Sequence, residues 1–289
     1  MPNPPASAGE GEGASMQVHE VEGGGGLRLH AREWGDPRGP AILLIHGWSQ
    51  SHMSWSYQLE SHLADEFRLV ALDLRGHGLS EKPPEAEHYH DERLWADDVA
   101  AVISALNLER PVLVGWSYGG FIICDYVRAH GDGAIAGINF VGAAVMLNEA
   151  YDNIGPGFLE NAQDATADDL PTNIAGMRRF VRACTAKPMS EEDFETTLCF
   201  NMVVPPQVRG ALVTRRIDSD DVLSGLTVPA LVTHGEEDTV VLPSMARHVL
   251  DVCPTAEASW YEGVGHAPFV EDAQRFNREL ADFTRHANP

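Results

Sequence analysis

The chain has 289 residues, 44% of them hydrophobic, and 43 acidic against 20 basic side chains give a net charge of −23. That length can bury a substantial core in one large or two modest domains, and the acidic excess repels polyanions, which argues against nucleic acid as a partner. No apolar run approaches the roughly 18 residues of a membrane span, and Cys124, Cys184, Cys199 and Cys253 fit no zinc spacing.

Residues 1–15 are rich in Pro, Gly, Ala and Glu and read as a disordered tail. They lack the basic start and apolar core of a secretory signal, so the expectation is a cytoplasmic protein with free thiols; a homo-oligomer stays open. "MQVHEVEGGGGLRLHAREWG" reads as two strands joined by a Gly-rich hairpin, and "PAILLIHG" as a strand buried on both faces. "SWSYQLESHLADE" is a short helix and "FRLVALDLRGHG" a second buried strand. "DERLWADDVAAVISALN" places Leu94, Val99, Val102, Ile103 and Leu106 at helical spacing. "PVLVG" is a third buried strand, "GGFIICDYVRAHG" a helix closed by Gly131, and "AIAGINFVG" a fourth strand.

This alternation predicts a mostly parallel sheet with helices on both faces. It breaks at residues 147–216, which read as helices only, over about 170–186, 191–203 and 206–215. It then resumes with strand "PALVTHG", helix "LPSMARHVLDVC", strand "ASWYEG" and a terminal helix over 268–286. The expected organisation is an α/β core of residues 16–146 and 217–289, with a helical cap, 147–216, inserted after the fourth parallel strand. Such an insertion sits at the carboxyl edge of the strands, where these sheets bind ligands.

Gly115-Trp116-Ser117-Tyr118-Gly119 fits G-x-S-x-G, with a buried strand before it and a helix after it. There the serine takes a strained backbone conformation, and glycines flank it because side chains would strike the neighbouring strand and helix. A serine hydroxyl needs a base to take its proton. Sites of this kind supply an acid and then a histidine later in the chain. "LVTHGEEDTVV" offers Glu236, Glu237 and Asp238 after one strand, and "YEGVGHAPFVED" offers His266 after the last.

On "HGW" (46–48), "DLRGHGLS" (73–80), "GWSYGG" (115–120), "HGEEDTVV" (234–241) and "GVGHAPFVED" (263–272), the chain resembles the α/β-hydrolase superfamily. It is most similar to the branch of cofactor-free haloperoxidases/perhydrolases, aryl esterases and enol-lactonases. The resemblance covers nearly everything from Val18 onward. It implies that the acid is Asp238, the carboxylate of G-x-x-D before two aliphatic residues. It also implies an oxyanion hole from the backbone N–H groups of Trp48 and Tyr118. Some relatives carry the acid after the preceding strand, but "NFVGAAVML" has no carboxylate. Relatives that are haloalkane dehalogenases or epoxide hydrolases carry Asp where this chain has Ser117.

The expected activity is therefore hydrolysis of small, medium or aryl carboxylic esters, or of lactones, through an acyl-enzyme on Ser117, without metal or cofactor. Perhydrolysis uses the same triad, and a non-catalytic ligand receptor is the alternative of another class. Trp116, Met146, Leu147, Phe158 and Val240 are candidates for the substrate pocket, beside the rings of Trp48 and Tyr118. Leu159, Met177, Phe180, Phe200 and Met202 read as pocket lining or as the cap's own core. Structural roles are expected for His46 (holding its loop), for Asp73, Arg75 and His77 (an ion-paired turn), for His234 (a satisfied core histidine) and for Cys124 (packing). His88-Tyr89-His90 lacks a third ligand and reads as a solvated loop.

Overall fold

The computed structural model describes residues 16–148 and 152–289; the tail expected to be disordered lies outside them. Eight strands form one sheet: β1 (Gln17–Glu22), β2 (Arg28–Gly35), β3 (Ala41–Ile45), β4 (Arg68–Asp73), β5 (Val112–Trp116), β6 (Gly137–Val141), β9 (Ala230–Gly235) and β10 (Ala256–Tyr261). Their order is β1-β2-β4-β3-β5-β6-β9-β10. β2 runs antiparallel to both its neighbours, and every other pairing is parallel. Two further strands, β7 (Met146–Leu147) and β8 (Ile217–Asp218), form a separate antiparallel ribbon where the chain leaves the core for the cap and returns.

The central strands are continuous apolar runs because both faces are covered. Leu43, Ile45, Val70, Leu72, Leu113 and Ile138 face one layer, with the helices Glu92–Ala105, Gly119–His130 and Pro243–Val252 and the cap. Ile42, Leu44, Leu69, Ala71, Val112 and Val114 face the other, packed by Trp55, Leu59 and Leu63 and by Phe276 and Leu280 of the Ala273–Ala287 helix. The side-chain period of two along a strand produces this division.

Five local expectations need correction. The segment after "HGW" is not one helix but a 3-10 turn, a single α-turn and another 3-10 turn. Ser51 and Ser61 each accept a hydrogen bond from a backbone N–H two residues on, which starts a new turn each time. The terminal helix is broken at Asp272, whose carboxylate accepts from the Arg275 N–H and starts Ala273–Ala287 afresh. The cap's second helix stops at Ala183. The cap also begins with a helix the sequence pattern did not suggest, Pro156–Ala165, with few buried side chains of its own. It exists by packing on Leu170–Ala183, where a Cβ on Gly176 would lie 2.4 Å from the Ala165 nitrogen. Ile154 forms an isolated antiparallel bridge to Val241, so the cap is not purely helical.

Candidate functional site

The carboxyl ends of β5, β6 and β9 lie side by side, with Trp116 opposite Val141 and Val141 opposite Thr233. Ser117 follows β5 directly. Its φ is +55°, a left-handed conformation that a side chain adopts only at a cost of about 1–3 kcal/mol. The turn is held by the Ser117 N–H on the Val141 carbonyl (3.0 Å) and by the Ser117 carbonyl, which accepts from Gly120 (2.9 Å) and Ala144 (3.0 Å). The helix Gly119–His130 can start this close to the sheet because residue 119 is glycine; a Cβ there would sit 2.5 Å from the Ile45 carbonyl oxygen.

After β9 and β10, backbone bonds bring two loops together: Glu236 N–H to the Tyr261 carbonyl (2.9 Å) and Glu237 N–H to Val264 (3.0 Å). Glu236 and Glu237 point to solvent, whereas Asp238 is buried. Asp238 Oδ1 accepts from the N–H groups of Val240 (2.8 Å) and Val241 (3.0 Å), and Oδ2 accepts from His266 Nδ1 (2.7 Å). Burial by itself would raise the Asp238 pKa, but the His266 and His234 imidazoles outweigh it and hold the carboxyl down at about 2. The carboxylate is thus ionised and can only accept, so His266 Nδ1 carries the proton of that bond. His266 Nε2 is buried and has no hydrogen-bond partner among the described residues. Its ring lies 5.4 Å from that of Trp116, whose indole N–H donates to the His266 carbonyl (2.8 Å).

The "HGW" loop closes over Ser117: a Cβ on Gly47 would lie 2.9 Å from Ser117 Cβ and 3.4 Å from its Oγ. The N–H groups of Trp48 and Tyr118 have no acceptor among the described residues. His46 holds this loop as expected. Its Nδ1–H donates to the Gly47 carbonyl (2.8 Å) and its Nε2 accepts from the Leu74 N–H (3.1 Å). His77 repeats the device, donating to the Arg75 carbonyl (2.9 Å) and accepting from the Ser49 N–H (3.2 Å). Burial pushes both imidazoles down, His46 to about 4 and His77 to about 3, so both are neutral.

Other residues sit differently from expectation. Arg75 pairs with Asp98 through two 2.7 Å bonds, both side chains fully buried, and Asp73 is bound instead by His52. His234 does more than fill the core. Its Nε2–H donates to the Val241 carbonyl (2.9 Å) and lies 3.3 Å from Asp238 Oδ2. His30, His52 and Asp73 form a buried group with ligand atoms within 4.8 Å of one another. Both Asp73 oxygens already accept from N–H donors, which leaves little for a metal. His88 and His90 are not part of that group.

Of the expected pocket residues, Leu147, Phe158 and Val240, with Trp48 and Tyr118, line an apolar cavity of about 40 Å³ that reaches Ser117. Met146 does not line it. Neither does Trp116, which packs on Phe269 and lines a second cavity of about 150 Å³ with Phe200. Met177 and Phe180 are buried in the cap's own core, and Leu159 is exposed. The sequence reading missed Ile154 and Val213, which reach the apolar cavity from the cap. It also missed the cap's grip on the loop after His46 and on Tyr118. The Trp48 indole N–H donates to the Arg209 carbonyl (3.0 Å), Ser49 Oγ to the Asn201 carbonyl (3.1 Å) and the Tyr118 hydroxyl to the Leu212 carbonyl (3.3 Å). Main-chain acceptors more than 90 residues away leave no signal in the sequence.

No helix among the described residues is long and apolar enough to cross a membrane. A family model described as "alpha/beta hydrolase fold" matches residues 40–175. A solved structure assigned as an aryl esterase from Burkholderia cenocepacia is 37% identical, with a TM-score of 0.90 over 94% of this chain and 99% of that one. An esterase from Rhodococcus sp. ECU1013 is 36% identical, with a TM-score of 0.88 over 93% of this chain and 98% of that one. A bifunctional esterase/perhydrolase from Acinetobacter calcoaceticus is 26% identical over 90% of this chain and 97% of its own length. With this sheet order, a helical cap and relatives of that identity along nearly its whole length, the chain belongs to the α/β-hydrolase superfamily, in its esterase, non-heme haloperoxidase and perhydrolase branch.

Proposed function

We propose that the protein is a serine carboxylic-ester hydrolase that works through an acyl-enzyme on Ser117. The observation that carries this reading is the buried Asp238–His266 pair at 2.7 Å, with His266 Nε2 left unpartnered in a loop beside the Ser117 turn. His266 takes the Ser117 proton, and Asp238 keeps the ring in the right tautomer and stabilises its charged form. Ser117 Oγ attacks the ester carbonyl, and the oxyanion is received by the free N–H groups of Trp48 and Tyr118, each contributing about 3–4 kcal/mol to the transition state. His266 then protonates the departing alcohol and activates the water that releases the acid. The same steps open a lactone. The apolar cavity of Leu147, Phe158 and Val240 would hold the acyl chain, and its small volume favours short acids.

The test is hydrolysis of short-chain acetates and butyrates by the wild type and Ser117→Ala, together with labelling by a fluorophosphonate. Equal rates in the two proteins would rule the reading out, and tight ester binding without labelling would favour a receptor. The Acinetobacter relative supports a second reading in which peroxide replaces water on the acyl-enzyme. Peracid formation from acetate and peroxide, set against ester hydrolysis, measures it.

A further inference from the structure

The cavity of about 150 Å³ shares no lining residue with the apolar one. Three of its lining residues are chain neighbours of the proposed machinery: Gln50 in the turn that carries Trp48, Trp116 before Ser117, and Ala267 after His266. Its far wall is the cap helix Glu191–Met202, through Thr197 and Phe200, with Glu192 at the mouth.

Gln50 is 2% exposed and yet only half used. Its Oε1 accepts from Ser54 Oγ (3.2 Å) and from Asn201 Nδ2 (3.2 Å). The second bond needs the oxygen in that place, because Asn201 Nδ2 is fixed as a donor by the Thr197 carbonyl (2.8 Å), so the amide is not turned round. Its NH2 end is left with no acceptor among the described residues, in a side chain that lines the cavity. Nε2 is not fully buried, so a substrate group can reach it, and a ligand that matches it gains selectivity over one that does not.

We propose that this cavity receives the alcohol portion of the ester, and that the Gln50 amide N–H donates to a neutral hydrogen-bond acceptor on it, such as an ether or amide oxygen. The inference rests on the acyl-enzyme reading, because it divides the substrate at Ser117 into an acyl side and an alcohol side. Glu192 at the mouth makes an anionic alcohol portion the disfavoured one.

Two substrate pairs test it. Butyl acetate and 2-methoxyethyl acetate have the same shape and differ in one ether oxygen. The wild type should favour the methoxyethyl ester in kcat/KM by about three- to tenfold, and Gln50→Leu should erase that ratio. Reading a ratio cancels any damage to the oxyanion loop that both esters share. The second pair, 4-acetoxybutanoate and 4-acetoxybutanamide, is read with Glu192→Arg, a change on an exposed side chain. It should raise the anion's kcat/KM relative to the amide's by about two- to fivefold at low salt, less at high salt. If neither variant moves its ratio while Ser117-dependent hydrolysis persists, this inference fails alone. A shift confined to Glu192→Arg overturns the Gln50 contact. Hydrolysis that does not depend on Ser117 overturns the acyl-enzyme reading, and this inference with it.

Discussion

Two buried aspartates at the carboxyl edge of the sheet hold their histidines in nearly the same way. Asp238 accepts from two backbone N–H groups and from His266 Nδ1 at 2.7 Å. Asp73 accepts from the N–H groups of His52 (2.7 Å) and Leu79 (2.9 Å) and from His52 Nδ1 at 2.9 Å. Both carboxyls are held below the usual range despite burial, which alone would raise them, by the imidazoles they pair with. Both histidines are buried, and both Nε2 atoms are unpartnered. The local chemistry therefore does not distinguish a catalytic dyad from a structural one. Contacts at the strand ends do: β4 and β9 each lie two strands from β5, but the His266 ring meets that of Trp116, the residue before Ser117, at 5.4 Å. The ring His52 meets is that of His30, 5.7 Å away, on β2.

The sharpest way to break this comparison is at the nucleophile. Ser117→Ala should lower kcat for ester hydrolysis by about 10⁶-fold, and a rate near wild type would make both dyads equally structural. Next, Asp238→Asn should cost about 10⁴-fold in kcat by presenting the wrong His266 tautomer. Asp73→Asn should spare the rate. Breaking that buried pair should cost about 3–5 kcal/mol in denaturant unfolding, while the folded fraction keeps kcat within about tenfold. If the two substitutions cost the same in kcat, the assignment of the Asp238–His266 pair to the serine would be wrong.

The smallest effect is in the pH dependence of stability. His46 and His77 have folded pKa values of about 4 and 3, lowered from 6.5 chiefly by burial. Between those values the unfolded chain binds protons that the folded chain does not, so stability is full above pH 6.5 and is lost as pH falls. The slope should approach about 1.4 kcal/mol per pH unit for each histidine. Asp238, also depressed, acts lower: its contribution is present above pH 3.8 and is lost only as pH falls toward 2. Urea midpoints from pH 7 to 4.5 should therefore drop, and His46→Gln should flatten the drop. An unchanged slope would mean that His46 does not need to be neutral to hold the loop after it.

Much of the site was legible because its determinants are local. A strand of apolar residues, a glycine-fenced serine and a helix start all lie within residues 111–123, and positive φ at Ser117 follows from that crowding. Asp238 needed more, since Glu236 and Glu237 carry the same charge. Two backbone bonds to the β10 loop turn those two outward and Asp238 inward. Trp116 shows the limit. Adjacency to Ser117 in the chain suggested the acyl pocket, but the alternation of a strand sends its ring to the opposite face, under His266.

The sequence by itself determined the alternation of strands and helices, the order of the motifs and the chemical types available at each strand end, because all of these follow from hydrophobic period and short-range sterics. Only the tertiary structure decided which Asp–His pair lies against Trp116, which cap carbonyls steady the loop after His46, and that separate cavities are lined by Ser117 and by Trp116. Those depend on strand order and on contacts between residues such as Gln50 and Asn201, 151 positions apart, and no local pattern of side chains encodes a separation of that kind.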